Sequence, residues 1–295
     1  MHWISAHGWQ ACVADMGAEL QSLRDRQGNE LLWQGDPAWW SGRSPILFPI
    51  VGRAPDDRLR IDGQACAMAQ HGIARRQKFE LLASGPDFTR HQLVENEATL
   101  ASYPRRFRLV IEHRLTETGL SILVEVHNTD DRPLPFGLGF HPAFRWPLPG
   151  AEGQDHLVRL GNGAEPRPSP LEGGLIGRDL QPSPFRDGQL TLDPAMFAAD
   201  ALVFLGQDSG TTLHYGPRQG PGLGFRFENL PFLALWTKPG APFLCIEPWH
   251  GAAAWADGGD AIEDRPGTMI LAPGDARRFA LHVAPDQTPD TSSRS

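Results

Sequence analysis

The sequence predicts an all-β protein, an antiparallel sandwich or barrel, from three observations. Apolar and polar residues alternate in many short runs, as they do in half-buried strands. No stretch of ten or more residues carries the 3.6-residue period of an amphipathic helix. Glycine (32) and proline (27) supply 59 of 295 residues, well above the usual share of about 12%, so turns between short strands are frequent. A fixed-period repeat is absent from the sequence, which disfavours a propeller or solenoid.

Along the chain, the first runs are "AELQSLRD" (18–25) and "ELLWQ" (30–34), on either side of the turn "RQGN". A clear hairpin follows. "FRLVIEHRL" (107–115) puts Phe107, Leu109, Ile111 and Leu115 on one face, and "LSILVEVHN" (120–128) does the same with Leu120, Ile122, Val124 and Val126. Between them "TETG" makes the turn. Further strand-like runs are "ALVFL", "LGFRFE", "FLALWT", "FLCIE", "TMILA" and "RFALHV". Residues 161–190 lack any pattern and read as a long surface excursion inserted within one domain. That domain is expected to span 1–284, with "PDQTPDTSSRS" (285–295) as a disordered tail.

Composition narrows the function. With 40% hydrophobic and 21% charged residues the chain can bury a sizeable core. A net charge of −8 argues against a nucleic-acid partner, because phosphate binding relies on a basic surface. Cys12, Cys66 and Cys245 are odd in number and lack CxxC spacing, which disfavours a disulfide framework or zinc ribbon and suits a reducing compartment. The start, "MHWISAHGWQACVAD", does not read as a signal peptide, and no run of about 20 apolar residues could span a bilayer. A cytoplasmic protein without a membrane partner is expected.

Four segments join an ionisable residue to aromatics, proline or glycine: "PILFPIVGR" (45–53), "HGIARR" (71–76), "GFHPAF" (139–144) and "CIEPWHG" (245–251). His141 is either a core histidine bonded to backbone carbonyls or a general acid held by Pro142 and packed by Phe140 and Phe144. Glu247 is either a solvated strand-end carboxylate or a base in a desolvated pocket. Trp236 and Trp249 are core aromatics or flat faces for a sugar ring, and Arg53 and His71 are a surface ion pair and a turn residue or ligands for hydroxyls. Arg75, Arg76 and Lys78 read as a solvated basic cluster. Glu247 and His250 lie three apart, but without an HxH pair they do not make a metal site, and none is expected. A GxSxG elbow is absent, and "GPGLGF" is not followed by the helix a nucleotide loop needs.

Taken in order from about residue 10 to 284, the four segments resemble the aldose 1-epimerase (galactose mutarotase-like) family, in its bacterial LacX-related branch. "GFHPAF" and "CIEPWHG" are the specific parts. The resemblance implies a large antiparallel β-supersandwich and the interconversion of α and β anomers of aldohexoses. By the same resemblance Glu247 takes the proton of the anomeric hydroxyl and His141 protonates the ring oxygen. His71 steadies the ring, Arg53 contacts hydroxyls, and Asp200 in "FAADALVF" stands for the family's hydroxyl-binding aspartate. The chemistry needs no cofactor. The expected partner is a small sugar, and the protein is expected to be a monomer or homodimer. Free aldohexoses are expected over their 6-phosphates, because Arg53 is the arginine closing "PILFPIVGR" and the family assigns it to the sugar. Arg167, Arg178 and Arg186 of the excursion are the possible phosphate contacts. A hexose-6-phosphate mutarotase and a non-catalytic sugar-binding protein are the alternatives.

Overall fold

The computed structural model describes residues 1–206 and 210–287. Two antiparallel sheets dominate them. Nine strands form the first, in the order Gln189–Thr191, His156–Leu160, Thr212–Pro217, Pro221–Glu228, Ala276–Gln287, Gly119–Asn128, Phe107–Thr116, Phe88–Val94 and Glu80–Ser84. In the second, Leu202–Phe204, Phe232–Trp236, Phe243–His250, Leu138–Phe140 and Ile46–Leu47 lie side by side, and Ala143–Arg145 also pairs with Phe243–His250. A three-stranded sheet, His2–Ala6, Trp9–Val13 and Leu20–Arg24, completes the N-terminal region.

The two large sheets pack face to face. Phe48 meets Phe107 with ring centroids 5.0 Å apart, Phe144 meets Phe225 at 5.0 Å, and the buried Tyr215 hydroxyl donates to the Arg145 carbonyl. One apolar cluster runs between them, from Ile4 to Val283. The hairpin read from the sequence forms as expected: Leu109 faces Val126, Ile111 faces Val124 and Leu115 faces Leu120, all buried. The all-β β-sandwich prediction holds. Its one α-helix among the described residues, Glu97–Ser102, has six residues and is capped by Asn96, which accepts from Thr99 N and donates its own N–H to Thr99 Oγ1.

Three local expectations need correction. "ELLWQ" forms isolated bridges rather than a continuous strand: Glu30 lies opposite Arg24 and Leu32 opposite Phe144, while the Glu30 carboxylate accepts from Ser22 Oγ and from the N–H groups of Leu23 and Leu32. The 161–190 excursion is anchored rather than free. Leu171–Glu172 pairs with Leu175–Ile176, Ile176 N donates to Ala254 O, and Ile176 and Phe185 are fully buried. Finally, the last strand continues to Gln287, with Pro285 opposite Leu223 and Asp286 opposite Gly222, so these residues belong to the sheet. Residues 288–295 of the expected tail lie outside the described residues. Among the described residues no helix is long and apolar enough to cross a membrane.

Candidate active site

Strand Phe243–His250 has two faces. Leu244 and Ile246 point into the sandwich core, whereas Cys245, Glu247 and Trp249 point to the outer side of the six-stranded sheet. Across from it the neighbouring chain is interrupted. Gly139 faces Trp249 and Ala143 faces Cys245, so His141, midway between, falls opposite Glu247. Pro142 breaks the ladder there, and its carbonyl accepts from Ile246 N. The result is a cross-strand pair of acid and imidazole, His141 Nε2 lying 3.3 Å from Glu247 Oε2.

This pair forms the floor of a cavity of about 370 Å³. His141 is 6% exposed and Glu247 2%. Trp40 stacks on the His141 ring at 5.0 Å and 27°, while His71 and Trp236 meet it edge-on at 5.4 and 5.8 Å. His71 sits at φ +67° beside Gly72, at φ +74°. A Cβ on Gly72 would run into the Phe48 carbonyl, so a side chain there is excluded. His71 Nδ1 accepts from Gly52 N, which leaves Nε2 carrying the proton and able to donate. The loops bearing Gly52 and Ala253 are tied together by the buried Arg265, which donates to the carbonyls of Val51, Arg53 and Ala252.

Burial sets the protonation. Desolvation lowers the His141 imidazole to about 3, with the Arg75 charge a lesser contribution in the same direction. Desolvation also raises Glu247 well above the carboxylate range, and the charge of Asp200 adds to this; the Trp249 N–H acts the other way without reaching hydrogen-bond geometry. His71 is held well below its usual value, first by burial and then by His141. Cys245 is a neutral thiol, raised by burial and by Glu247. His141 Nδ1, Glu247 Oε2 and Trp249 Nε1 are buried without hydrogen-bond partners among the described residues.

Six of the seven residues singled out in the sequence line this cavity: His71, His141, Asp200, Trp236, Glu247 and Trp249. Arg53 does not. Its exposed guanidinium pairs with Asp57 at 3.1 Å and donates to the Gly173 carbonyl. The cavity arginine is Arg75, expected to be solvated with Arg76 and Lys78. The 3₁₀ turn Ala74–Arg76 points the two arginines apart: Arg76 donates to Gly72 O, while Arg75 has no ion-pair or hydrogen-bond partner among the described residues. Trp40 was also missed, although the pair "WW" beside Pro37 and Gly42 is an aromatic cluster of the kind that walls sugar sites. His250 faces away and bonds Asn229 O, so it forms no ligand pair with Glu247. The donor atoms of His141, Cys245 and Glu247 lie within 4.8 Å of one another and could hold a divalent ion.

Comparison with known proteins places the chain in a family. The model of the aldose 1-epimerase family matches residues 2–163. The chromosomal protein LacX of Lactococcus lactis subsp. lactis is 31% identical over 285 residues, covering 91% of this chain and 93% of its own. Among solved structures, a galactose mutarotase-like protein from Lactobacillus casei ATCC 334 superposes with a TM-score of 0.89 at 26% identity, over 97% of this chain and 100% of that one. A galactose mutarotase related enzyme from Lactobacillus acidophilus also gives 0.89, at 27% identity and 98% coverage of both chains. The chain belongs to the aldose 1-epimerase family, a family of isomerases.

Proposed function

We propose that the protein interconverts the α and β anomers of free aldohexoses, with Glu247 and His141 trading protons across the sugar ring. The observation that carries this reading is the buried pair itself, 3.3 Å apart at the floor of a sugar-sized cavity. Ring opening starts from carboxylate and imidazolium: Glu247 takes the proton from the anomeric hydroxyl as His141 gives one to the ring oxygen. The product state is a neutral carboxylic acid and a neutral imidazole. Net charge on the pair is zero on both sides, and because burial favours the neutral side, the carboxylate and imidazolium form when the Glu247 proton passes to His141, 3.3 Å away. Rotation about the bond between the first two carbons and reclosure by the reverse transfers give the other anomer. No cofactor or covalent intermediate enters this scheme.

Within the same reading, Trp40, Trp236 and Trp249 supply apolar faces for the ring, and His71 Nε2 and Asp200 bond hydroxyls. Arg75 takes the place first given to Arg53. A hexose 6-phosphate is the second reading, and Arg75 is the observation that favours it, since a guanidinium without a partner among the described residues suits an anion. Rates of anomer exchange measured by NMR over a panel of free and phosphorylated hexoses test both. A higher kcat/KM for glucose or galactose supports the first reading. A tenfold advantage for glucose 6-phosphate, about 1.4 kcal/mol of transition-state binding, replaces it with the second.

A further inference from the structure

We propose that His2, Asp15 and His91 form a binding site for a divalent transition-metal ion of the zinc class, on the nine-stranded side of the sandwich and separate from the sugar cavity. His2 begins the first strand, Asp15 follows the second, and His91 lies in Phe88–Val94 of the large sheet. His2 Nε2 is 2.6 Å from Asp15 Oδ1, and His91 Nε2 is 3.6 Å from the same oxygen. The three donor atoms all fall within 4.8 Å of one another.

The second observation is the state of His91. Its side chain is 0% exposed, and neither ring nitrogen has a hydrogen-bond partner among the described residues. A neutral imidazole always carries one N–H and one lone pair, so both are stranded in a dry place, an arrangement that folded proteins avoid. A cation beside Nε2 would use that lone pair. The His2 and Asp15 side chains are 27% and 31% exposed, so the site opens to solvent on one side and is anchored on the other. Two imidazole nitrogens and one carboxylate oxygen are the donors that zinc and its neighbours take, at roughly 2.0–2.2 Å, with a fourth position left for water. Reaching those lengths needs the His2–Asp15 contact to open slightly around the ion. Bound there, the ion would join the N-terminal three-stranded sheet to the edge region of the large one, a tie that increases stability when the ion binds only the folded chain.

The test is zinc titration of chelator-stripped full-length protein by calorimetry, with the bound metal counted by elemental analysis after dialysis and the melting temperature followed in parallel. One zinc per chain and a higher melting temperature are expected. Asp15→Asn and His2→Gln, both at partly exposed positions, should each weaken that binding tenfold or more and abolish the thermal shift, while anomer exchange stays unchanged. Cobalt gives the second readout: the tetrahedral visible absorption seen in wild type should be lost in both variants and retained in Glu247→Gln, which alters the other donor cluster. Absence of bound zinc overturns the proposal. So does zinc binding that survives both His2→Gln and Asp15→Asn, or that disappears in Glu247→Gln.

Discussion

At the scale of single residues, His141 is enclosed by Trp40 on its face and by His71 and Trp236 at its edge. An indole face stabilises imidazolium, whereas burial opposes it, so the ring is neutral at rest and takes its proton from Glu247, 3.3 Å away, before giving one to the ring oxygen. Replacing either proton carrier, as Glu247→Gln or His141→Asn, should slow anomer exchange by about 10²-fold or more. A folded variant with a near-normal rate would remove the role given to that residue. The same groups set a stability signature. Glu247 is raised in the folded state, so its contribution is full below about 4.5 and is lost as pH rises through the raised value. His141 is lowered to about 3, so its contribution is full above about 6.5 and is lost as pH falls toward 3. Glu247→Gln removes the first penalty and should melt higher than wild type at pH 8, with the gap closing at pH 4; equal melting curves at pH 8 would contradict the buried, proton-binding carboxyl. Sequence showed the acid, the imidazoles and Trp249 through their motif segments, and Trp236 through the strand-like run "FLALWT". It could not separate Arg53 from Arg75, since both are arginines close behind a glycine in a motif segment, and the turn Ala74–Arg76 decides which one reaches the cavity.

At the scale of elements, the pocket depends on loops held by a buried cation. Arg265 donates to the carbonyls of Val51, Arg53 and Ala252, and burial lowers its guanidinium to about 9. Arg265→Met leaves those acceptors unpaired and should reduce stability by more than about 2 kcal/mol, with a raised KM as the Gly52 and Ala253 walls loosen. Denaturant unfolding and steady-state kinetics on the variant check both. The excursion contributes in another way: Leu171, Gly174 and Ile176 close one side of the cavity, but its arginines do not enter. Arg178 pairs with Asp257, Arg167 donates to the carbonyls of Leu180 and Gln181, and Arg186 to those of Ser183 and Phe185. Alanine at all three should leave the preference between glucose and glucose 6-phosphate unchanged in competition assays, and a shift of tenfold would put the phosphate subsite in the excursion. Period-2 alternation made the long strands legible. The two-residue strands Leu171–Glu172 and Leu175–Ile176 are too short to carry a period, and "ELLWQ" makes only single bridges, from Glu30 to Arg24 and from Leu32 to Phe144.

At the scale of the whole molecule, local alternation foretells sheets but not which strands pair. The His141–Glu247 contact spans more than a hundred residues and exists only because two strands flank an interruption at Pro142 in one register. In the sequence, the motif resemblance is the signal that joins them. The net charge of −8 gives no general attraction for anions, and Arg75 is the arginine that lines the cavity. Arg75→Met should therefore cut kcat/KM for free aldohexoses only modestly, through lost hydroxyl bonds, and a selective collapse for 6-phosphates would expose an anion site. The proton-transfer account itself is tested most directly by two-dimensional exchange NMR of galactose anomers with wild-type protein and Glu247→Gln in excess EDTA. The account expects strong acceleration by wild type that chelation does not diminish, reduced about 10²-fold or more in the variant. Equal rates for the two proteins, or an acceleration that vanishes with chelator and returns with one added metal, would contradict it.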